Sequence, residues 1–343
     1  MDQGPDEAGQ LYLGIETSCD ETAVGLVSSG RNVEGEAVAS SAGKQDRYGG
    51  IVPEVAAREH VAVLPGLVAA VLQQAHRQPQ EIAAIGVTTG PGLFGALLVG
   101  MTAAKALAVA WGRPLVAVHH LEAHLYANAL TGPIVFPSLA LLVSGGHTGL
   151  WLWRGHGDLV RIGETLDDAA GEALDKGARL LGLGYPGGPA IERLALTAQG
   201  PGPRLPIGHI RGGSPYDMSF SGLKTALRQI LDRDPTPDAA RYALSLQEAV
   251  VDAVVERVEL ALDAFSARAV YAAGGVAANR ALQERLHAVA RKHGIGAFVP
   301  EPRYCTDNGV MVALAAHYGF SAGIRLSLEA GPRTPWPLGS ARV

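Results

Sequence analysis

His120 and His124 stand four residues apart in the segment His120-Leu-Glu-Ala-His124. On a helix this spacing puts both imidazoles on one face, near enough to share a metal ion. The same spacing is also met by one buried, hydrogen-bonded histidine beside one solvated histidine, so a third ligand has to decide. Asp307 is the candidate: it lies in Cys305-Thr-Asp-Asn-Gly309, just ahead of the apolar run from Val310 to Ala316, where a helix start would present its carboxylate. The competing use is an N-cap supplied by Thr306 or Asp307. Two imidazoles and one carboxylate suit a transition metal and leave coordination positions open, as catalysis at a metal needs.

A second set of residues has the grammar of a phosphate and nucleoside site. The polar turn Thr17-Ser-Cys-Asp-Glu21 sits between apolar stretches and could offer backbone N–H groups and carboxylates to a phosphate–metal unit, or be an ordinary hairpin turn. Ser144-Gly-Gly-His147 is a second such turn, whose glycines let the main chain approach a ligand and form an anion nest. In the block Gly163 to Gly188, Asp168, Glu172, Asp175 and Lys176 recur at helical spacings, the pattern of a solvated face with i,i+4 pairs. Tyr185-Pro-Gly-Gly188 then closes that helix with a turn poor in side chains, suited to a ribose lying against backbone. Gly274-Gly275-Val-Ala-Ala-Asn279 is a strand-to-helix glycine turn, as found at the strand ends of nucleotide pockets. Lys224, in Ser219-Phe-Ser-Gly-Leu-Lys224, could meet a phosphate, but solvent is the ordinary place for a lysine.

The elements that must carry these residues follow from hydrophobic pattern. Leu11 to Val27 reads strand, turn, strand, and Leu139 to Trp153 repeats that plan, suggesting a duplicated domain. Ile82 to Thr89 reads as a strand, Leu93 to Trp111 as a helix and Pro114 to His119 as a strand. Ala267 to Ala273 and Ala278 to Lys292 repeat strand and helix, so the fold class is α/β with a mostly parallel sheet and crossover helices. Residues 197–216, rich in Gly and Pro and carrying Arg204 and Arg211, read as a loop of the kind that often carries function.

The 343 residues suggest two domains at about 150 residues each. With 48% hydrophobic and 18% charged residues the chain can bury a large core, which excludes wholesale disorder. A net charge of −5 argues against gripping nucleic acid by bulk electrostatics, so such a partner needs a local patch. Cys19 and Cys305 are the only cysteines, which excludes a disulfide scaffold or a cysteine zinc cluster and fits a reducing cytosol. The acidic amino terminus lacks a basic and an apolar region, and no uninterrupted apolar run reaches the length of a membrane span. The expectation is a cytoplasmic chain with no membrane partner.

Taken in order, GIETSCDETAVGLV, YGGIVPEVAAREH, TTGPGLFGALLVG, HHLEAH, LLVSGGHT, DDAAGEALDKGARLLGLGYPGG, SFSGLKTAL, AGGVAANR and CTDNGVMVA closely resemble the TsaD family, from about Leu11 to Pro337. This is the family of bacterial transferases that install threonylcarbamoyl on adenosine 37 of tRNA. The resemblance implies the duplicated actin-like ATPase fold of sugar kinases and heat-shock chaperones, two domains with a nucleotide and metal cleft between them. Residues 1–10 would be a flexible leader, 11–133 with about 302–343 the first domain, and 134–301 the second. It further implies that His120, His124 and Asp307 hold Fe²⁺, or alternatively Zn²⁺. Leu142, Val143, Ser144, Gly145 and Gly146 would lie along the phosphate and acyl region, Asp175 and Gly188 against the ribose, Asn279 near the adenine, and Glu21 beside the reacting groups. The substrate would be threonylcarbamoyl-AMP, with ATP, ADP or AMP suited to the same pocket, and the acceptor the exocyclic amine in tRNAs reading ANN codons. The implied partners are tRNA, TsaB as a heterodimer and TsaE transiently. Where the family more usually has glycine between Glu122 and His124, this chain has Ala123.

Rival activities are weighed by the same residues. A zinc peptidase needs Glu directly after its first histidine, and Leu121 stands there. A small-molecule kinase on the same fold would hold Mg²⁺ by oxygen ligands, unlike a two-histidine site. A non-catalytic scaffold has no need of His120, His124 and Asp307.

Overall fold

The computed structural model describes residues 9–41, 43, 51–208 and 212–339. Most of the expected leader, Arg211 and part of the YGGIVPE stretch lie outside the described residues. The chain divides into two compact units, one within the spans Met1–Ile134 and Thr306–Val343, the other spanning Val135–Cys305.

The first unit is built on a five-stranded sheet of β1 (Leu11–Glu16), β2 (Glu21–Ser28), β3 (Asn32–Ser40), β4 (Ile82–Gly90) and β5 (Leu115–His119), in the order β3-β2-β1-β4-β5. Helices α1 (Pro53–Gln74) and α2 (Phe94–Trp111) pack on each other and on the sheet. They bury Leu64, Val68, Val71, Met101 and Ala104 against Leu13, Ile15, Val24 and Ile85. By length and composition both helices could cross a membrane; here each lays one face on a sheet. The short helix α3 (His120–Tyr126) follows β5 directly.

The second unit repeats the plan with β6 (Ser138–Val143), β7 (Thr148–Gly155), β8 (Asp158–Glu164), helices α4 (Ala170–Leu180), α5 (Gly187–Ala195), α6 (Ser221–Leu231) and α7 (Ala239–Ala264), β9 (Ala269–Ala273), α8 (Arg280–Lys292), β10 (Gly296–Phe298) and α9 (Pro302–Cys305). Its sheet order, β10-β9-β6-β7-β8, is the first order read from the other edge. The duplication expected from two strand-turn-strand segments therefore extends to whole sheets. The sheets are mixed rather than mostly parallel: β1, β2 and β3 run antiparallel while β4 and β5 join in parallel, and the second sheet does the same. The reason is connection length. Short turns can join only antiparallel neighbours, and only β4, β5, β9 and β10 arrive through longer connections.

The last helix, α10 (Gly309–Ser321), returns to the first unit and lies across β1, β2 and β4. Gly14 pairs with Gly25 on one side and Gly86 on the other, so three glycines stand side by side on neighbouring strands. A Cβ at Gly14 would run into the backbone of Gly309 and Ala313, one at Gly25 into Gly309 and Val310, and one at Gly86 into Ala316. This row is a flat seat that lets the helix backbone touch the sheet. Tyr126 of α3 stacks on Tyr318 of α10, ring centroids 4.9 Å apart, which ties the two helices together.

Candidate functional site

β5 ends at His119 and α3 begins at His120, so the strand delivers the histidine pair at its carboxyl end. The joint is fixed from the chain's other end: His119 Nε2 donates to the Trp336 carbonyl at 2.9 Å, and the two rings lie 4.6 Å apart. Asp307 arrives just before α10. The helix is capped by Asn308, whose side chain accepts from Met311 N–H at 2.8 Å, rather than by Thr306 or Asp307. Asp307 is thereby left to the histidines. Its Oδ1 lies 3.1 Å from His124 Nε2 and 3.6 Å from His120 Nε2. The three donor atoms lie within 4.8 Å of one another, a grouping of two imidazoles and one carboxylate that could hold a divalent transition-metal ion.

Glu16, at the end of β1, completes the arrangement from behind. Its Oε2 accepts from Thr88 Oγ1 at 2.6 Å and faces His120 Nδ1 at 3.1 Å, while Oε1 accepts from Ser18 N–H. Burial pulls the His120 imidazole toward neutrality, but the Asp307 and Glu16 carboxylates outweigh it and raise its pKa to about 9 in the ion-free chain. Burial likewise opposes the charge on Asp307, yet the two histidines hold its carboxyl well below the usual range.

The turn between β1 and β2 is clamped on several sides. Thr17 Oγ1 donates to the Ala96 carbonyl, Leu93 N–H donates to the Ser18 carbonyl, and Ser41 donates through both N–H and Oγ to the Asp20 carbonyl. From α1, the fully buried His60 contacts Cys19 O through Nε2 at 3.0 Å and Thr22 Oγ1 through Nδ1 at 2.7 Å. A carbonyl only accepts, so Nε2 carries the proton and the neutral ring accepts from Thr22. Glu21, just beyond the turn, keeps Oε2 buried with no hydrogen-bond partner among the described residues. Burial first, then the charges of Asp20 and Asp307, push its carboxyl up to about 7.

His60 gives a pH signature to this unit. Burial holds its folded pKa below the ordinary 6.5. As pH falls the unfolded chain therefore takes up the proton first, so this contribution to stability is complete above about pH 6.5 and drains away below it. Melting temperature should fall more steeply between pH 7 and 5.5 in the natural chain than in His60→Gln; parallel curves would show that the ring carries no such linkage.

In the second unit the β6–β7 turn is tight: Ser144 N–H donates to the His147 carbonyl at 2.8 Å and His147 N–H to Ser144 Oγ at 3.0 Å. Gly145 and Gly146 are exposed, and a Cβ on either would meet nothing within 4 Å. Among the described residues nothing fills the space over these two backbones. Leu142 and Val143 lie within β6 with fully buried side chains, so only their main chain could face a ligand. The Gly171 N–H of α4 donates to Ser144 O, and Gly274, at the end of the adjoining parallel strand β9, packs against Val143 O. Both glycine turns thus converge at strand carboxyl ends.

Asp175 on α4 accepts from Gly187 N–H at 2.7 Å, and its carboxyl is raised by burial. Tyr185 to Gly188 does not close the preceding helix, which stops at Leu180; Pro186 is the N-cap that opens α5. Glycine is demanded by packing at Gly187, where a Cβ would strike Asp175, while a Cβ at Gly188 would make only an ordinary contact with Leu174. Asn279 is the N-cap of α8: its Oδ1 accepts from Leu282 N–H and its Nδ2 donates to Gln247 Oε1 at 2.9 Å, leaving one amide N–H uncommitted by those bonds. Leu174, next to Asp175, lines the same small pocket as Asn279 and Gln247. Lys176 pairs with Glu172 at 3.0 Å, as the i,i+4 reading expects, and also reaches Asp168, ahead of the helix, at 2.6 Å. The Ser219-Phe-Ser segment gains a structural purpose: Asp167 accepts from both serine hydroxyls and from the N–H groups of Phe220 and Ser221 at the start of α6. Lys224 and Arg204 are exposed.

Solved structures share this architecture. Full-length HypF in a phosphate- and nucleotide-bound form superposes with a TM-score of 0.61 at 12% identity, over 92% of this chain and 47% of that one. A ROK family glucokinase from Streptomyces griseus gives 0.51 at 12% identity, over 91% and 99%. The duplicated mixed sheets make this chain a member of the actin-like ATPase fold class, here with a histidine–carboxylate cluster on its first unit. Residues 32–314 match the family model described as TsaD, tRNA N6-adenosine threonylcarbamoyltransferase. The enzyme of that name from Symbiobacterium thermophilum is 49% identical, over 93% of this chain and 94% of its own length, and that from Thermomicrobium roseum 45%, over 96% and 97%. The chain belongs to the TsaD family.

Proposed function

We propose that this enzyme transfers threonylcarbamoyl from threonylcarbamoyl-AMP to the exocyclic amine of adenosine 37 in tRNAs reading ANN codons, releasing AMP. The observation that carries this reading is the convergence of Asp307 Oδ1 on the Nε2 atoms of His120 and His124 in a chain of this family. His120, His124 and Asp307 would hold a divalent ion, Fe²⁺ or alternatively Zn²⁺, which would supply Lewis acidity toward the carbamoyl carbonyl and an anchor for the threonyl end. The Ser144–Gly146 backbone takes the phosphate region, Asp175 and Gly188 the ribose, and the remaining Asn279 N–H the adenine. The amine nitrogen forms the new bond to the carbamoyl carbon as the bond from that carbon to the phosphate oxygen breaks, AMP leaving with the electron pair. Glu21, with a pKa of about 7, is poised to accept the proton that the amine loses. An adenine amine is a poor nucleophile, so positioning and electrostatics supply most of the rate. A kinase reading would rest on fold likeness alone, and no residue of the cluster favours it.

The reading places the enzyme in the cytoplasm, with TsaB in a heterodimer and TsaE as a transient partner. The outer faces of α1 and α2 support a stable protein partner. Val61 is 61% exposed, Phe94 59%, Leu98 45% and Val109 68%, and from His60 to Gln74 α1 carries no Asp, Glu, Lys or Arg. Val109→Glu should weaken TsaB binding at least about tenfold by titration calorimetry, the order expected for an apolar anchor in an interface, with the chain's melting temperature unchanged. Undiminished binding would move the interface elsewhere. The activity itself is tested by following labelled threonylcarbamoyl from its adenylate into unmodified tRNA, with and without TsaB; label must enter ANN-reading tRNA and be absent from tRNA lacking adenosine 37.

A further inference from the structure

We propose that Glu16 is the positioning carboxylate of the ion site, fixing the proton of His120 on Nδ1 so that Nε2 presents its lone pair to the ion. The proposal rests on the ion reading above and assigns a role to a residue outside the three ligands. Glu16 ends β1, an otherwise apolar strand, and is fully buried. An ionised carboxylate so placed is costly unless its oxygens are satisfied. Three donors converge on it: Ser18 N–H on Oε1, and Thr88 Oγ1 with His120 Nδ1 on Oε2.

The direction of these contacts carries the argument. An ionised carboxylate accepts only, so the proton between Glu16 and His120 belongs to Nδ1. With that nitrogen committed, Nε2 of the neutral ring is the atom left to coordinate, and it is the atom that faces Asp307 Oδ1. Ser18 Oγ, 3.2 Å from Nδ1, can give or accept a proton and so cannot choose the tautomer alone. Thr88 orients the carboxylate from β4, the strand beside β1. The glutamate is thus held by two strands and a turn, all set before the histidine helix begins. Carboxylates behind metal-ligating histidines raise ligand basicity and lock the ring, and losing one typically weakens metal binding about 10–100-fold.

Glu16→Gln separates this role from mere filling of space, because the amide has nearly the same shape but can turn an N–H toward Nδ1. His120 would then accept there and carry its proton on Nε2, where the ion must bind. We expect the full chain to take up one Zn²⁺, with affinity measured by competition against a chromogenic chelator, and Glu16→Gln to bind it about 10–100-fold more weakly per folded molecule. The Co²⁺-loaded variant should show a shifted visible absorption band. Thr88→Val, which leaves the carboxylate but removes one of its donors, should show a smaller loss in the same direction, and serves if Glu16→Gln folds poorly. Equal affinity and an identical Co²⁺ spectrum in both variants would overturn the role of Glu16 while leaving the ion site standing. A natural chain that binds Zn²⁺ no better than His124→Ala would overturn the ion site, and this proposal with it.

Discussion

His124→Ala should lower threonylcarbamoyl transfer by at least about 10²–10³, the range seen when one preorganised electrostatic group is removed from a reaction centre, while the protein stays folded. The side chain is buried and its Nε2 faces Asp307 at 3.1 Å, so on the proposed reading its loss removes an ion ligand and a partner of the carboxylate together. Asp307→Ala should fall to a similar rate. Groups that act as one unit are not additive, so the double variant should be no slower than the slower single one. Steady-state transfer to unmodified tRNA checks this, and a double variant whose losses multiply would mean that the two side chains serve separate steps.

Gly14→Val should cost about 3 kcal/mol of stability, at the upper end of what overpacking usually costs, and should weaken ion binding as well. The added Cβ would meet the backbone of Gly309 and Ala313, which has no rotamer by which to escape. Helix α10 must lift from the sheet, and Asp307 is attached to its first turn. A control lies on α1: Gly66 is solvent-facing with nothing within 4 Å of its missing Cβ. Gly66→Ala should stabilise the isolated chain by about 0.5–1 kcal/mol through helix propensity. Chemical denaturation of both variants tests the contrast, and equal behaviour would mean that α10 is not seated by the glycine row.

What could be read from the residues and what could not divide along a physical line. Features set by local pattern were legible: the two strand-turn-strand segments became β1–β2 and β6–β7, and the histidine pair did fall on one helix. Asp307 was a candidate because it precedes an apolar helix, but its meeting with the histidines depends on Gly25, Gly14 and Gly86 standing abreast, a cross-strand relation that no local window shows. Glu16 went unremarked as one more letter of GIETS. The available signal was a carboxylate ending an otherwise apolar strand, which asks for buried donors. His60 drew no reading of its own, since its partners lie far back in the chain, Cys19 in the turn after β1 and Thr22 in β2. The Tyr185–Gly188 turn was assigned to the helix before it because cap residues mark an end without saying whose end it is. Asp167, unremarked among the charges of its block, anchors a helix start about fifty residues on.

The direct test of the ion-centred reaction is transfer of labelled threonylcarbamoyl by the chelator-stripped chain with TsaB, before and after Fe²⁺ or Zn²⁺ is returned. We expect the stripped enzyme to be nearly inactive, the natural chain to recover with about one ion per molecule, and His124→Ala to stay inactive at the same ion concentration. Full transfer by the stripped enzyme would contradict the assignment of His120, His124 and Asp307 as the centre of the chemistry.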